Sequence, residues 1–306
     1  MAGPVTGVAA RRVAGKPAGA VRRPLDARRW HFQHGPIDLV VEAFGPDAAV
    51  ADARERGWQR FTTVLEELVA ELPVLRRPVE ERTGVHGAVA KRMVAACLPY
   101  RGVFITPMAA VAGAVADEIL AAMMDGGRGI TKAYVNNGGD IALALGPGEA
   151  FRIGVITDVD RATRHGHRIP LDGEFAVAAA FPVRGVATSG WRGRSWSLGI
   201  ADSVTVLAAD GAAADAAATM IANAVDVDHS AIERRRACDV DDDPDLGERL
   251  VTVTVGRLPE DAIEIALASG FARARDLIGA GLIWGAVLAL QSQLRVVGGL
   301  SRLERR

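Results

Sequence analysis

Ser203-Val-Thr-Val-Leu-Ala208, followed by Ala214-Asp-Ala-Ala-Ala-Thr219, decides how this chain is read. The first run is rich in β-branched residues and reads as a strand. The second lies within Ala212 to Val225, a run of small residues that reads as a helix. On that helix Asp215 and Thr219 are i and i+4, so they share a face. A carboxylate and a hydroxyl there could bind a hard cation such as Mg2+, with the alanines leaving room. The plainer alternative makes Asp215 a first-turn acid opposing the helix dipole. Asn223 and Asp226 fall one and two turns further on.

Three more segments could carry chemistry. Met108 to Met124 reads as a helix of small residues ending at Gly126-Gly127. With Pro107 at its start, its free N–H groups could face an anion; tight helix packing is the alternative. Asn136-Asn137-Gly138-Gly139-Asp140 joins two strands, Ala133 to Val135 and Ile141 to Leu145. Its glycines allow positive φ and leave amides open to a ligand, and Asp140 could accept hydrogen bonds; an ordinary hairpin turn explains it equally. Thr188-Ser-Gly-Trp-Arg-Gly-Arg-Ser195 combines hydroxyls, glycines and two arginines, as a phosphate-binding loop would. Trp191 or Trp196 could stack on a flat ring. A polar surface hairpin is the alternative there.

Further strands are expected at Ile37 to Ala43, Val103 to Thr106, Phe151 to Thr157, Glu174 to Ala180, Val183 to Ala187 and Leu250 to Val255. Helices are expected at Ala48 to Glu71, ending before Pro73, at Ala88 to Cys97, and over Asp261 to Leu294 with a break near Gly279 to Gly281. Strands crowd the middle of the chain and helices gather around them. That favours an α+β layered domain with antiparallel-rich sheets over an alternating parallel sheet. No repeat or Gly/Ser linker divides residues 30–306, so one domain is expected there. Residues 1–29 read as a disordered basic tail, with seven Lys and Arg against Asp26 alone.

The 306 residues are 49% hydrophobic and only 5% aromatic, so the core must rest on Ala, Val, Leu and Ile. A net charge of −1 gives no overall basic field for nucleic acid. Arg234-Arg235-Arg236 reads as exposed helix-end charge. Cys97 and Cys238 form no CxxC pair, which fits a reducing compartment. No secretion-signal pattern opens the chain. The most apolar run, Leu277 to Leu290, is shorter than the roughly 20 residues of a membrane span and reads as a buried core helix. A cytoplasmic protein without membrane or nucleic-acid partners is expected. Ala-rich helices would suit a homodimer.

Two apparent metal motifs fail. Asp239, Asp241 and Asp243 open like a calcium loop, but Pro244 and Leu250 stand where Gly and Glu are needed. Arg164-His-Gly-His-Arg168 surrounds its histidines with cations, so an exposed loop is expected.

Taken in this order, the segments resemble the ApbE superfamily, best known for FAD:protein FMN transferases, and most of all its shorter ApbE-like branch. The likeness runs from about His31 to Gly299. It implies an ApbE-like α+β domain related to the T-fold. It implies Mg2+ held by Asp215, Thr219 and the carbonyl of Ala112, and FAD as substrate or ligand. Asn136, Gly138, Gly139, Asp140 and Asp117 match the family's nucleotide-side positions. Thr188, Ser189 and Arg194 complete the expected ligand contacts. Two departures stand out. Gly113 occupies the place of a usual Lys, with one residue apparently deleted. Ser195 to Asp202 replaces a His-rich segment ending in Asp-Pro.

Two functions follow from the resemblance. The first is an Mg2+-dependent flavin-nucleotide transferase with an acceptor protein, in which Asp202 or Asp140 would assist the proton. The second is a binding protein or divergent enzyme for a flavin, pterin or nucleotide-like ligand.

Overall fold

The computed structural model describes residues 19–126, 129–155, 173–193, 195–241 and 245–299. Nine strands form one sheet in which every neighbouring pair is antiparallel. In chain order they are β1 (Val21–Pro24), β2 (Trp30–His34), β3 (Ile37–Phe44), β4 (Lys132–Asn137) and β5 (Asp140–Leu145). Strands β6 (Ala150–Val155) and β7 (Gly173–Ala178) form a separate hairpin. The chain rejoins the sheet with β8 (Gly185–Ser189) and β9 (Ser203–Ala208). A second hairpin, β10 (Ile232–Arg236) with β11 (Leu250–Val255), stands apart, and β12 (Gly285–Leu290) and β13 (Gln293–Gly298) close the sheet. Its order is β1-β2-β3-β4-β5-β8-β9-β12-β13.

The long helices pack on one face: α1 (Asp47–Leu75), α2 (Ala88–Cys97), α3 (Val111–Met124), α4 (Gly211–Ala224) and α5 (Glu260–Gly279). Strand alternation divides the core. Val204, Val206 and Ala208 join the helix-side cluster, whereas Leu207 meets the β6–β7 hairpin residues Ile153, Phe175 and Val177 on the other face. The mixed, antiparallel-rich α+β architecture is the one expected.

Several local expectations are corrected. Leu277 to Leu290 is not one helix: α5 ends at Gly279, and Gly285–Leu290 is a strand buried on both faces. A strand covered on both sides loses its alternation and reads as a continuous apolar run. Leu294, read as the helix's end, lies in β13. Arg234 to Arg236 lie in a strand rather than at a helix end, where they pair with Asp226, Glu233 and Asp239. Val103 to Thr106 is irregular; it approaches Val79, whose N–H donates to the Ile105 carbonyl at 2.9 Å. Helix α1 runs through Pro73 to Leu75: Pro73 removes one backbone bond there without breaking the helix, which ends two residues later. Of residues 1–29, read as a tail, Val21–Pro24 pairs with β2, while 1–18 lie outside the described residues. The histidine-containing loop at 164–168, together with Asp243 and Pro244, also lies outside them.

Candidate functional site

The crossing of α3 and α4 builds the site's floor. The helices approach so closely that a Cβ on Gly113 would lie 2.1 Å from the Gly211 carbonyl oxygen. Each helix then supplies an aspartate to the other's N-terminus. Asp117 of α3 accepts the Gly211 and Ala212 N–H groups of α4, both at 2.8 Å. Asp215 of α4 accepts the Gly113 N–H of α3 at 3.0 Å and is also bonded by the Ala112 N–H. Asp210 takes the next free amide of α4, Ala213, at 2.7 Å. Amides that could have faced an anion are thus already satisfied by carboxylates, which the helix dipoles favour there.

Both aspartates are strained electrostatically. Burial pushes the Asp117 carboxyl up to about 6, against the pull of the Ala212 and Gly211 amides. Asp215 is raised well above its ordinary value, first by burial, then by the charge of Asp140, with the Gly113 and Ala112 amides opposing. Their situations differ. Asp117 stays beneath the floor as a cap, whereas Asp215 lines an open cleft of about 940 Å3 with Thr219 and Ala112. Among the described residues, no hydrogen bond reaches the Thr219 hydroxyl. The Ala112 carbonyl, in the first turn of α3, also accepts the Asn137 side-chain amide at 3.1 Å.

The β4–β5 turn forms a neighbouring wall. Gly138 and Gly139 adopt φ of +66° and +119°, and the Gly139 N–H donates to Asn136 Oδ1 at 2.8 Å. The hairpin reading is therefore right, and the turn also faces the cleft. No atom lies within 4 Å of where a Gly139 Cβ would point. Asp140 accepts the Thr188 N–H at 3.0 Å, and the Thr188 and Thr205 hydroxyls bond at 2.9 Å.

The third wall runs from Thr188 to Ser203. Thr188, Ser189, Arg192 and Trp196 line the cleft. Arg194 lies outside the described residues. Asp202 reaches the cleft, but its oxygens are engaged: Oδ1 accepts Trp191 Nε1–H at 3.1 Å and Arg192 Nε–H at 2.8 Å, and Oδ2 accepts the Gln291 N–H at 2.6 Å. Asn223 Oδ1 accepts the Leu198 N–H at 3.0 Å and ties this loop to α4. On the far rim, Thr106 donates to Asp245 Oδ2 at 2.5 Å.

Asp215, Thr219, Ala112, Asn136, Gly138, Gly139, Asp140, Thr188, Ser189 and Asp202 therefore converge on one cleft, and Asp117 does not. Sequence reasoning missed Asn137, which holds the Ala112 carbonyl, and Gln291, which holds Asp202. Asn137 stood inside a quoted motif; no sequence signal marked Gln291.

The donors Asp215, Thr219 and Ala112 offer only oxygen, the ligand set of a hard cation. Among the described residues no cluster of three or more His, Cys, Asp or Glu forms a closed metal cage. A Mg2+ ion fits such a partial set, because it retains waters or takes ligand phosphate oxygens.

A family model described as AbpE bacteria matches residues 22–296. The chain belongs to that family. Archaeal relatives include the UPF0280 protein of Methanosphaerula palustris, 36% identical over 64% of this chain and 77% of the relative. The UPF0280 protein of Methanoculleus marisnigri is 31% identical over 74% of this chain and 85% of its own length. Among solved structures, the ApbE protein of Thermotoga maritima aligns with TM-score 0.42 and 12% identity, covering 91% of this chain and 99% of that one.

Proposed function

We propose that this member of the AbpE bacteria family is an Mg2+-dependent flavin-nucleotide transferase that takes FAD and passes FMN to a hydroxyl of an acceptor protein. One observation carries the reading: separate segments of the chain converge on a single cleft of about 940 Å3, a size suited to a nucleotide-like ligand. Asp215, Thr219 and the Ala112 carbonyl would hold the cation. When bound, Mg2+ would neutralise pyrophosphate charge and ease departure of AMP. Gly139 leaves space for the ligand to approach backbone. In the transfer, the acceptor oxygen bonds to the FMN phosphorus as the bond to AMP breaks. Asp140, at the cleft wall, would take the hydroxyl proton; Asp202, with three donors on its carboxylate, serves as a fastening point. An exposed thiol at Cys238 and a buried one at Cys97 fit a reducing, cytoplasmic setting.

The test is incubation of the protein with FAD, Mg2+ and candidate acceptors, reading AMP release and covalent flavin by mass spectrometry. Bound FAD with no AMP release would sink the transferase reading. One observation favours the alternative of a flavin, pterin or nucleotide binder. At Gly113, where the resemblance expects Lys nearby, backbone of α4 leaves no room for a side chain. On that reading Asp215→Ala weakens metal-dependent binding and has no turnover to remove.

A further inference from the structure

Among the described residues two aromatic side chains line the cleft, Trp196 on the wall from Thr188 to Ser203 and Phe104 on the far rim. Phe104 lies in the irregular segment before α3 and is half-buried. The Arg249 guanidinium covers one face of its ring, with Cζ 3.2 Å from the centroid. The connection between β10 and β11 brings that arginine into place. The Ala237 N–H donates to the Arg249 carbonyl at 2.8 Å, and the Cys238 N–H donates to the Gly247 carbonyl at 3.0 Å. The Thr106 hydroxyl, two residues beyond Phe104, donates to Asp245 and ties the same connection to the rim. With a cation against one face, the side of the Phe104 ring left for the cleft is the opposite one.

Position and electronics name what this ring can hold. From Phe104 the rim runs through Thr106, Met108 and Val111 to Ala112, so a ring on Phe104 and a phosphate group at the metal corner share one continuous wall. A cation behind an aromatic ring draws its π density backward. The front face becomes less negative and better suited to an electron-rich partner. Adenine is such a ring, whereas oxidised isoalloxazine is electron-poor. Asp245, on the same rim, suits a base that carries an amino group and opposes the carbonyl edge of a flavin.

We propose that Phe104, backed by Arg249, is the platform on which the adenine ring of a dinucleotide stacks. Arg249 is a positioning residue that acts through the Phe104 ring. This rests on the nucleotide reading above and adds to it the group that tells FAD from FMN.

The test uses calorimetric titration of the full chain, with Mg2+, against FAD, ADP and FMN, which lacks adenine. Phe104→Leu is expected to weaken FAD and ADP about 10-fold or more while FMN stays within about 2-fold. Phe104→Tyr restores most of the loss, because it keeps the ring. Arg249→Gln is expected to give a smaller loss with the same selectivity, about 3-fold, and Arg249→Lys recovers it by keeping the charge. Thermal melts identify any variant that has simply unfolded, and the exposed Arg249→Gln change keeps the test decisive if Phe104→Leu does. Equal losses for FAD and FMN, or none, with Phe104→Leu would overturn the inference alone. So would an adenine-selective loss that follows Trp196→Leu instead, or wild-type protein that binds FMN and not ADP. Failure of the wild-type protein to bind FAD, ADP and FMN alike would overturn it together with the nucleotide reading.

Discussion

Gly113 and Gly139 both lie in segments that border the candidate site, and they are glycine for opposite reasons. At Gly113 a Cβ would meet the Gly211 oxygen at 2.1 Å, so the missing side chain is space already filled by backbone. At Gly139 nothing lies within 4 Å, and it is the φ of +119° that excludes a side chain. The sequence makes both segments look equally suited to a ligand. Geometry divides the work. The α3–α4 crossing is a structural joint that aims Asp215 at the cleft, whereas the β4–β5 turn is an open wall a ligand can approach.

The largest expected effect breaks the joint. Gly113→Ala forces the two helix backbones apart and strains both reciprocal caps. A loss of about 3 kcal/mol or more is expected, read by urea denaturation. A loss below about 1 kcal/mol would mean the crossing is slack and that Asp215 is aimed by something else. Gly139→Ala, by contrast, meets no neighbour and should leave the fold intact.

Next comes the metal. A ligand at about 100 times its Kd stabilises the folded state by roughly 2.7 kcal/mol. Wild-type protein should show a gain of that order with saturating Mg2+, and Asp215→Asn should show almost none. Asparagine still accepts the Gly113 N–H, so the metal-free variant should melt close to the wild type. If Asp215→Asn kept the Mg2+ gain, the cation would have to be held elsewhere.

The caps also make metal-free stability depend on pH. Asp117 has an ordinary value of 3.8 and a folded value of about 6. The folded state therefore binds more protons than the unfolded chain between about pH 4 and pH 6. Stability should fall as pH rises through that window. Asp215, also raised, acts in the same direction. Asp117→Asn should flatten the slope of denaturation midpoint against pH in that interval. A slope of opposite sign would show that the Gly211 and Ala212 amides outweigh burial.

How much of this was legible depended on whether a residue's partners lay nearby in sequence. The i, i+4 pair Asp215 and Thr219 and the turn at Asn136 to Asp140 are local patterns, and both reach the cleft. Asp117 was assigned to the ligand because nothing local reveals that its partners are the amides of Gly211 and Ala212. Asp202 was read as a proton acceptor for the same reason; the Gln291 N–H that occupies it is far along the chain. In the fold, half-exposed elements such as β3 show their alternation, with burial switching at each residue. Gly285–Leu290 does not, because it is buried on both faces, and its apolar run reads as helix.

The smallest expected effect is the one that separates an ordinary hairpin from a ligand-facing turn. Gly139→Ala places alanine at a φ of +119°, far outside its preferred regions, at a cost of about 1 to 2 kcal/mol. That cost falls on either reading, since it comes from the turn's own backbone. Ligand binding does not. An added methyl would enter open cleft space beside the Asn136-capped turn. If the turn cradles a flavin nucleotide, affinity for FAD should fall about 10-fold or more in titrations carried out well below the variant's melting point. If it only joins β4 to β5, affinity should be unchanged despite the lost stability.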